Sequence, residues 1–180
     1  GPKKLWDAEV GIGYSTAAVA KGKVYTMGNV QENDRVSCFD AESGKLLWKH
    51  EYPCASQDPN GYHGTRTTPT VDGERVYTLS RHGHLFCLNA ADGKVVWSKE
   101  FKKDFDAKPP QWGWAGSVLI EQDWALIEVG GPGRSVVAFN KLNGEVVWKN
   151  GDDKVGYSSL VAFDLEGERC LAVFSADNFV

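Results

Sequence analysis

The chain is 180 residues long, enough for one domain with a sizeable core, and its 42% hydrophobic and 24% charged residues are the balance of a globular protein. A formal charge of -4 argues against a nucleic-acid partner, whose phosphates select a basic face. No apolar run approaches the ~18 residues a helix needs to span a bilayer, and the opening GPKKLWDAEVGIGYST lacks the apolar stretch of a signal peptide.

Taken in chain order, KKLWDAE around Trp6 reads as the tail of a repeated unit, with residues 4–10 forming a strand. The runs KVYTMG, RVSCFD and KLLWKH follow, then RVYTLS, HLFCLN and KVVWSK in the same order. These are strands of about five or six residues, rich in Val, Tyr, Leu and Phe and separated by turn residues. No segment sustains a helical period, so the class is all-β. The stretch FDAESGKLLWKH at 39–50 returns as LNAADGKVVWSK at 88–99 and as FNKLNGEVVWKN at 139–150. Gly44, Gly93 and Gly144 are spaced by 49 and 51 residues, and Trp48, Trp97 and Trp148 keep that spacing. A period of this size marks one supersecondary unit used repeatedly.

Within the repeat, Asp40, Asn89 and Asn140 are placed to accept bonds from the backbone amides just ahead of them. The glycines then supply the positive φ that closes a hairpin with a bulge. A large flat side chain repeated once per unit is best placed at the seam between units, so Trp6, Trp48, Trp97 and Trp148 are expected between neighbours. Four strands in about 50 residues, joined by an aromatic seam, describe the blades of a β-propeller. The period exceeds the ~40–45 residues of WD40 repeats.

FDAESGKLLW, LNAADGKVVW and FNKLNGEVVW resemble the A-x-D-x-x-T-G-K-x-x-W repeat of the pyrroloquinoline-quinone-like (PQQ-like) β-propellers, and GKVYTMG and GERVYTL match the preceding part of that repeat. The resemblance covers nearly the whole chain. It is similar in particular to the non-catalytic branch that contains the outer-membrane assembly lipoprotein of the Bam machinery. What this implies is an interaction scaffold in the periplasm or another extracytoplasmic space. The resemblance also implies a ring of about seven or eight four-stranded antiparallel blades, of which this chain would be about half. The expected layout is a preceding blade's last strand at 4–10, blades at 14–52, 62–102 and 112–150, and an incomplete blade at 156–180. Alternatives are a small ring closed by the N-terminal strand, or self-association through open blade edges.

The innermost strand of each blade lines the central channel, and the loops leading into those strands face one end. Aligning them places Tyr14, Arg66, Ala115 and Tyr157 at one level, Ser15, Thr67, Gly116 and Ser158 at the next, and Thr16, Thr68, Ser117 and Ser159 after them. The small hydroxyl residues are expected to satisfy backbone groups where strands crowd at the axis; the alternative is a polar rim that binds a ligand. Two long insertions, YPCASQDPNGYHGTR and FKKDFDAKPPQWGWAG, add His63, Trp112 and Trp114. Tyr14, His63, Arg66, Trp112, Trp114 and Tyr157 are therefore the candidate rim, suited to other proteins or extended peptides.

No catalytic constellation is legible. There is no G-x-S-x-G, no H-E-x-x-H and no spaced His cluster, and GGPGR at 130–134 sits between strands, where a hairpin turn explains it. Quinoprotein dehydrogenases share the resemblance, but they hold their quinone with adjacent cysteines and a calcium ion. Cys38, Cys54, Cys87 and Cys170 are not adjacent, and Cys38 and Cys87 read as small buried strand residues. No cofactor and no metal are expected from these residues. The alternatives to a non-catalytic scaffold are a quinone- or ligand-binding domain related to those dehydrogenases, and a sensor domain of a larger protein.

Overall fold

The computed structural model describes residues 1–57 and 61–180. The first sheet runs β1 (Ala18–Ala20), β2 (Lys23–Val30), β3 (Asn33–Asp40) and β4 (Leu46–Pro53). The second runs β5 (Thr70–Asp72), β6 (Arg75–Leu79), β7 (His84–Asn89) and β8 (Val95–Glu100). The third runs β9 (Leu119–Glu121), β10 (Trp124–Glu128), β11 (Val136–Asn140) and β12 (Val146–Asn150), and β13 (Val161–Leu165) pairs with β14 (Glu168–Ala172). Within each sheet every strand pairs antiparallel with the next in sequence, so the three four-stranded sheets are meanders, one blade each, and β13–β14 is a hairpin.

Burial follows from the stacking of blades. The middle strands β2, β3, β6, β7, β10 and β11 have neighbours on both faces, and their centres are buried on both. The outer strands β4 and β8 keep their aromatic inward and expose the residues on either side of it, the period-2 pattern of a strand with one wet face. The core is therefore a series of seams. Tyr25, Val36, Cys38 and Trp48 meet Val76 and Leu88 in one, and Tyr77, Leu85 and Trp97 meet Ala125, Val137 and Phe139 in the next.

The repeated turn is built the same way three times. Asp40 Oδ1 accepts from the Ser43 amide at 2.8 Å, Asn89 Oδ1 from the Ala91 amide at 2.8 Å, and Asn140 Oδ1 from the Leu142 amide at 2.9 Å. A bulge adjoins the turn in each of these three blades, where the register shifts between Cys38 and Phe39, Cys87 and Leu88, and Ala138 and Phe139. Gly44, Gly93 and Gly144 have φ of 70°, 72° and 74°, the left-handed region that favours glycine. Indoles dock on these turns from earlier in the chain, Trp48 and Trp97 from the last strand of the preceding blade. Trp6 Nε1 donates to the Ala41 carbonyl at 2.9 Å, Trp48 Nε1 to Ala90 at 3.1 Å and Trp97 Nε1 to Lys141 at 3.0 Å. Trp148 is half-buried and meets Trp124 edge-on at 6.0 Å, where Trp48 and Trp97 meet Tyr25 and Tyr77.

Two expectations are corrected. Residues 4–10 take no strand conformation; Trp6 keeps a place in the seam, and the segment first pairs at Ile12, by a single bridge to Asn29 of β2. Within the second insertion, Phe101–Phe105 forms a short helix, α1, with Phe101 fully buried against Trp114. Phe101 and Phe105 lie one turn apart and both pack on the core, but five residues are too short a run to show a sustained helical period. The four cysteines are free thiols, and burial pushes Cys87 up to about 11.

Candidate functional site

At the axis, each blade ties to the next through a hydroxyl. The Thr16 amide donates to Thr68 Oγ1 at 3.3 Å, the Thr68 amide to Ser117 Oγ at 2.9 Å, and the Ser117 amide to Ser159 Oγ at 2.9 Å. One level up, Ser15 Oγ donates to Thr65 Oγ1 at 2.7 Å, Thr67 Oγ1 to the Leu79 carbonyl at 2.5 Å, and Ser158 Oγ to the Phe174 carbonyl at 3.0 Å. The inner strands of neighbouring blades do not pair through their backbones, and short hydroxyls reach across to satisfy the amides left over. These residues are structural.

The level above them is different. Tyr14, Arg66, Ala115 and Tyr157 converge with Tyr62 and Trp112 around an open hollow of about 400 Å³. Trp112 and Tyr157 have ring centroids 5.1 Å apart, and Tyr14 and Tyr62 lie 6.3 Å apart. Arg66 stands 5.7 Å over the Tyr14 ring and donates from Nη2 to the Tyr62 carbonyl at 2.7 Å. The four aromatic side chains are 38–57% exposed, so the ring around the hollow is wet. The inner-strand loops thus set the spacing of the rim, one residue per blade, and the insertions add Tyr62 and Trp112.

Two candidates fall outside the hollow. Trp114 is 0% exposed: its indole donates to the Val129 carbonyl at 3.0 Å, with Phe101 packed edge-on at 5.4 Å, so it is core and not rim. The two tryptophans of the insertion are separated by Gly113, whose φ of 76° turns the chain between them. His63 is exposed and does not line the hollow; it stands near the Glu32 carboxyl, which hydrogen bonds from Ser56 hold low. Residues 58–60 of the first insertion lie outside the described residues.

Tyr157 also borders a second, larger hollow of about 550 Å³. Its walls are the end of the second insertion, with Asp106, Lys108 and Pro110, the GGPGR turn with Arg134, and the loop after β12 with Lys154. Arg134 Nε donates to the Phe105 carbonyl at 2.8 Å and its Nη2 to the Asp106 carbonyl at 3.0 Å, which fastens the insertion to the turn. The loop is held by Glu128, whose Oε1 accepts from the Gly156 amide at 2.8 Å. Burial, with a smaller contribution from Asp153, pushes this carboxyl up to about 7. The sequence carries no signal for Glu128, which looks like an ordinary strand end, nor for the meeting of three distant segments around the second hollow.

Among the described residues no group of three or more His, Cys, Asp or Glu side chains is placed to hold a metal ion. Among the described residues no helix is long and apolar enough to cross a membrane. The stacked meanders, the aromatic seam and the rim at one end define a β-propeller. The chain belongs to the family described as outer membrane protein assembly factor BamB, whose profile matches residues 32–179. It is 25% identical over 152 residues to the BamB of Yersinia pestis, covering 82% of this chain and 36% of that protein. It is 26% identical over 147 residues to the BamB of Nitrosomonas eutropha, covering 82% and 32%. The chain thus spans about a third of the length of these relatives. A europium-containing methanol dehydrogenase superimposes with a TM-score of 0.63 at 15% identity, over 89% of this chain and 37% of that one, a likeness of fold alone.

Proposed function

We propose that this chain is a non-catalytic β-propeller scaffold of an extracytoplasmic compartment, which presents its aromatic rim to other proteins in outer-membrane protein assembly. The observation that carries this reading is the rim itself. Tyr14, Tyr62, Arg66, Trp112 and Tyr157 surround one open hollow, the residue types that dominate protein-binding hot spots. The hydroxyl residues nearest the channel are engaged in joining blades, and the one hydroxyl–imidazole contact among the described hydrogen bonds, Ser80 Oγ to His84 Nδ1 at 3.0 Å, has its serine fully buried, away from any substrate. The donor set a quinone and its calcium would need does not fit here: the cysteines are not adjacent, and among the described residues no three acidic, His or Cys side chains are grouped to hold a metal ion. The names of the relatives favour an assembly role.

Site-specific photo-crosslinking tests the reading. A photoreactive residue in place of Trp112 or Tyr157, in the envelope of a host bacterium, should give adducts with outer-membrane assembly proteins. The same residue in place of Glu166, on the distant β13–β14 turn, should give none. Equal adducts from all three positions, or none from the rim, would overturn it.

A further inference from the structure

We propose that the two hollows sharing Tyr157 form one continuous groove, and that it takes an extended acidic peptide with aromatic residues at one end. The inference rests on the rim being the partner-binding surface and assigns the chemistry of the partner. Tyr157 lines both hollows, so a chain lying across it enters the aromatic hollow on one side and the larger hollow on the other.

The charge is lopsided. A protein with 24 acidic and 20 basic side chains places Lys108, Arg134 and Lys154 in the walls of the larger hollow against Asp106 as the one carboxylate among its lining residues. Among the described residues neither Lys108 nor Lys154 is ion-paired, and both are exposed. Arg134 spends two of its nitrogens on carbonyls, which fixes the guanidinium without neutralising it. Three fixed or solvated cations around a concavity make a positive potential that an acidic segment would meet. The other hollow offers the opposite chemistry: the faces and edges of Tyr14, Tyr62, Trp112 and Tyr157, suited to aromatic side chains. A bilayer surface fits less well, because a planar headgroup layer cannot follow cations into a concave site.

The probe is an unlabelled peptide of two phenylalanines followed by four glutamates, titrated into the chain and followed by proton–nitrogen NMR. The Trp112 indole signal should move, and the buried Trp97 indole should stay still. Raising salt from about 0.05 to about 0.5 M should weaken binding. Lys108→Glu with Lys154→Glu should raise Kd about tenfold or more, with the melting temperature unchanged. The counterpart with four lysines should not bind. Equal binding of both peptides, or unchanged affinity in the double variant, overturns the proposal. So would charge-dependent sedimentation with phosphatidylglycerol vesicles in the absence of peptide binding. Success of the rim crosslinks alongside failure of the acidic probe would sink this inference alone and leave the scaffold reading standing.

Discussion

Trp48 occupies the space into which a side chain at Gly93 would grow: a β-carbon built there comes within 2.5 Å of the indole. The glycine is therefore required twice, for its φ of 72° and for the approach of the ring. Gly93→Ala should cost about 2–4 kcal/mol, from left-handed strain plus displacement of the indole. Gly73→Ala is the control, since Gly73 also has positive φ, 58°, but its β-carbon would meet open space. There the loss should be about 1 kcal/mol. Equal losses in urea unfolding would mean that the docked ring contributes nothing.

The axial ladder gives a second test. Ser117→Ala removes the acceptor for the Thr68 amide and should cost about 1–3 kcal/mol, while Ser117→Thr keeps the hydroxyl and should cost less. Hydrogen exchange at the Thr68 amide should speed up in the alanine variant. An unchanged exchange rate would show that water replaces the serine freely.

Stability should fall as pH rises through the range between the ordinary glutamate value and about 7, because folded Glu128 holds its proton where the unfolded chain has released it. The contribution is fully present below the unfolded value and is lost as pH climbs through the folded one. Glu128→Gln keeps an acceptor for the Gly156 amide without a titrating group. It should flatten that slope and raise stability at pH 8 by roughly 1–3 kcal/mol. Parallel pH profiles for the two proteins would show that the carboxyl does not titrate in this window.

Trp112 and Trp114, two residues apart, should separate cleanly. Trp114→Ala opens a cavity in the second seam and should cost about 3–5 kcal/mol. Trp112→Ala, at a site 38% exposed, should shift stability by under about 1 kcal/mol while abolishing crosslinks from Tyr157. A large stability loss at Trp112 would place it in the framework instead of the contact surface.

The all-β class was legible because the repeat states its own geometry: an Asx acceptor, a left-handed glycine and a tryptophan at fixed offsets leave one way to close the hairpin. The level of Tyr14, Arg66, Ala115 and Tyr157 was legible for the same reason, since aligned loops on equivalent strands end at equivalent heights. The insertions have no copy elsewhere in the chain to be aligned with. Whether Trp112 or Trp114 turns inward depends on Gly113 and on the hole left beside Phe101, both set by packing between distant segments. Glu128 escaped notice because its environment comes from Gly156 and Asp153, more than twenty residues away.

The first two units of about 50 residues each carry both halves of the joint: a tryptophan that docks forward and a glycine turn that receives one from behind. A gene segment encoding one unit, copied in tandem, therefore arrives with its plug and its socket already matched to those of its neighbours. Unequal recombination can lengthen or shorten such an array without creating a mismatched junction. The loops at the rim, which take no part in the joint, remain free to diverge copy by copy.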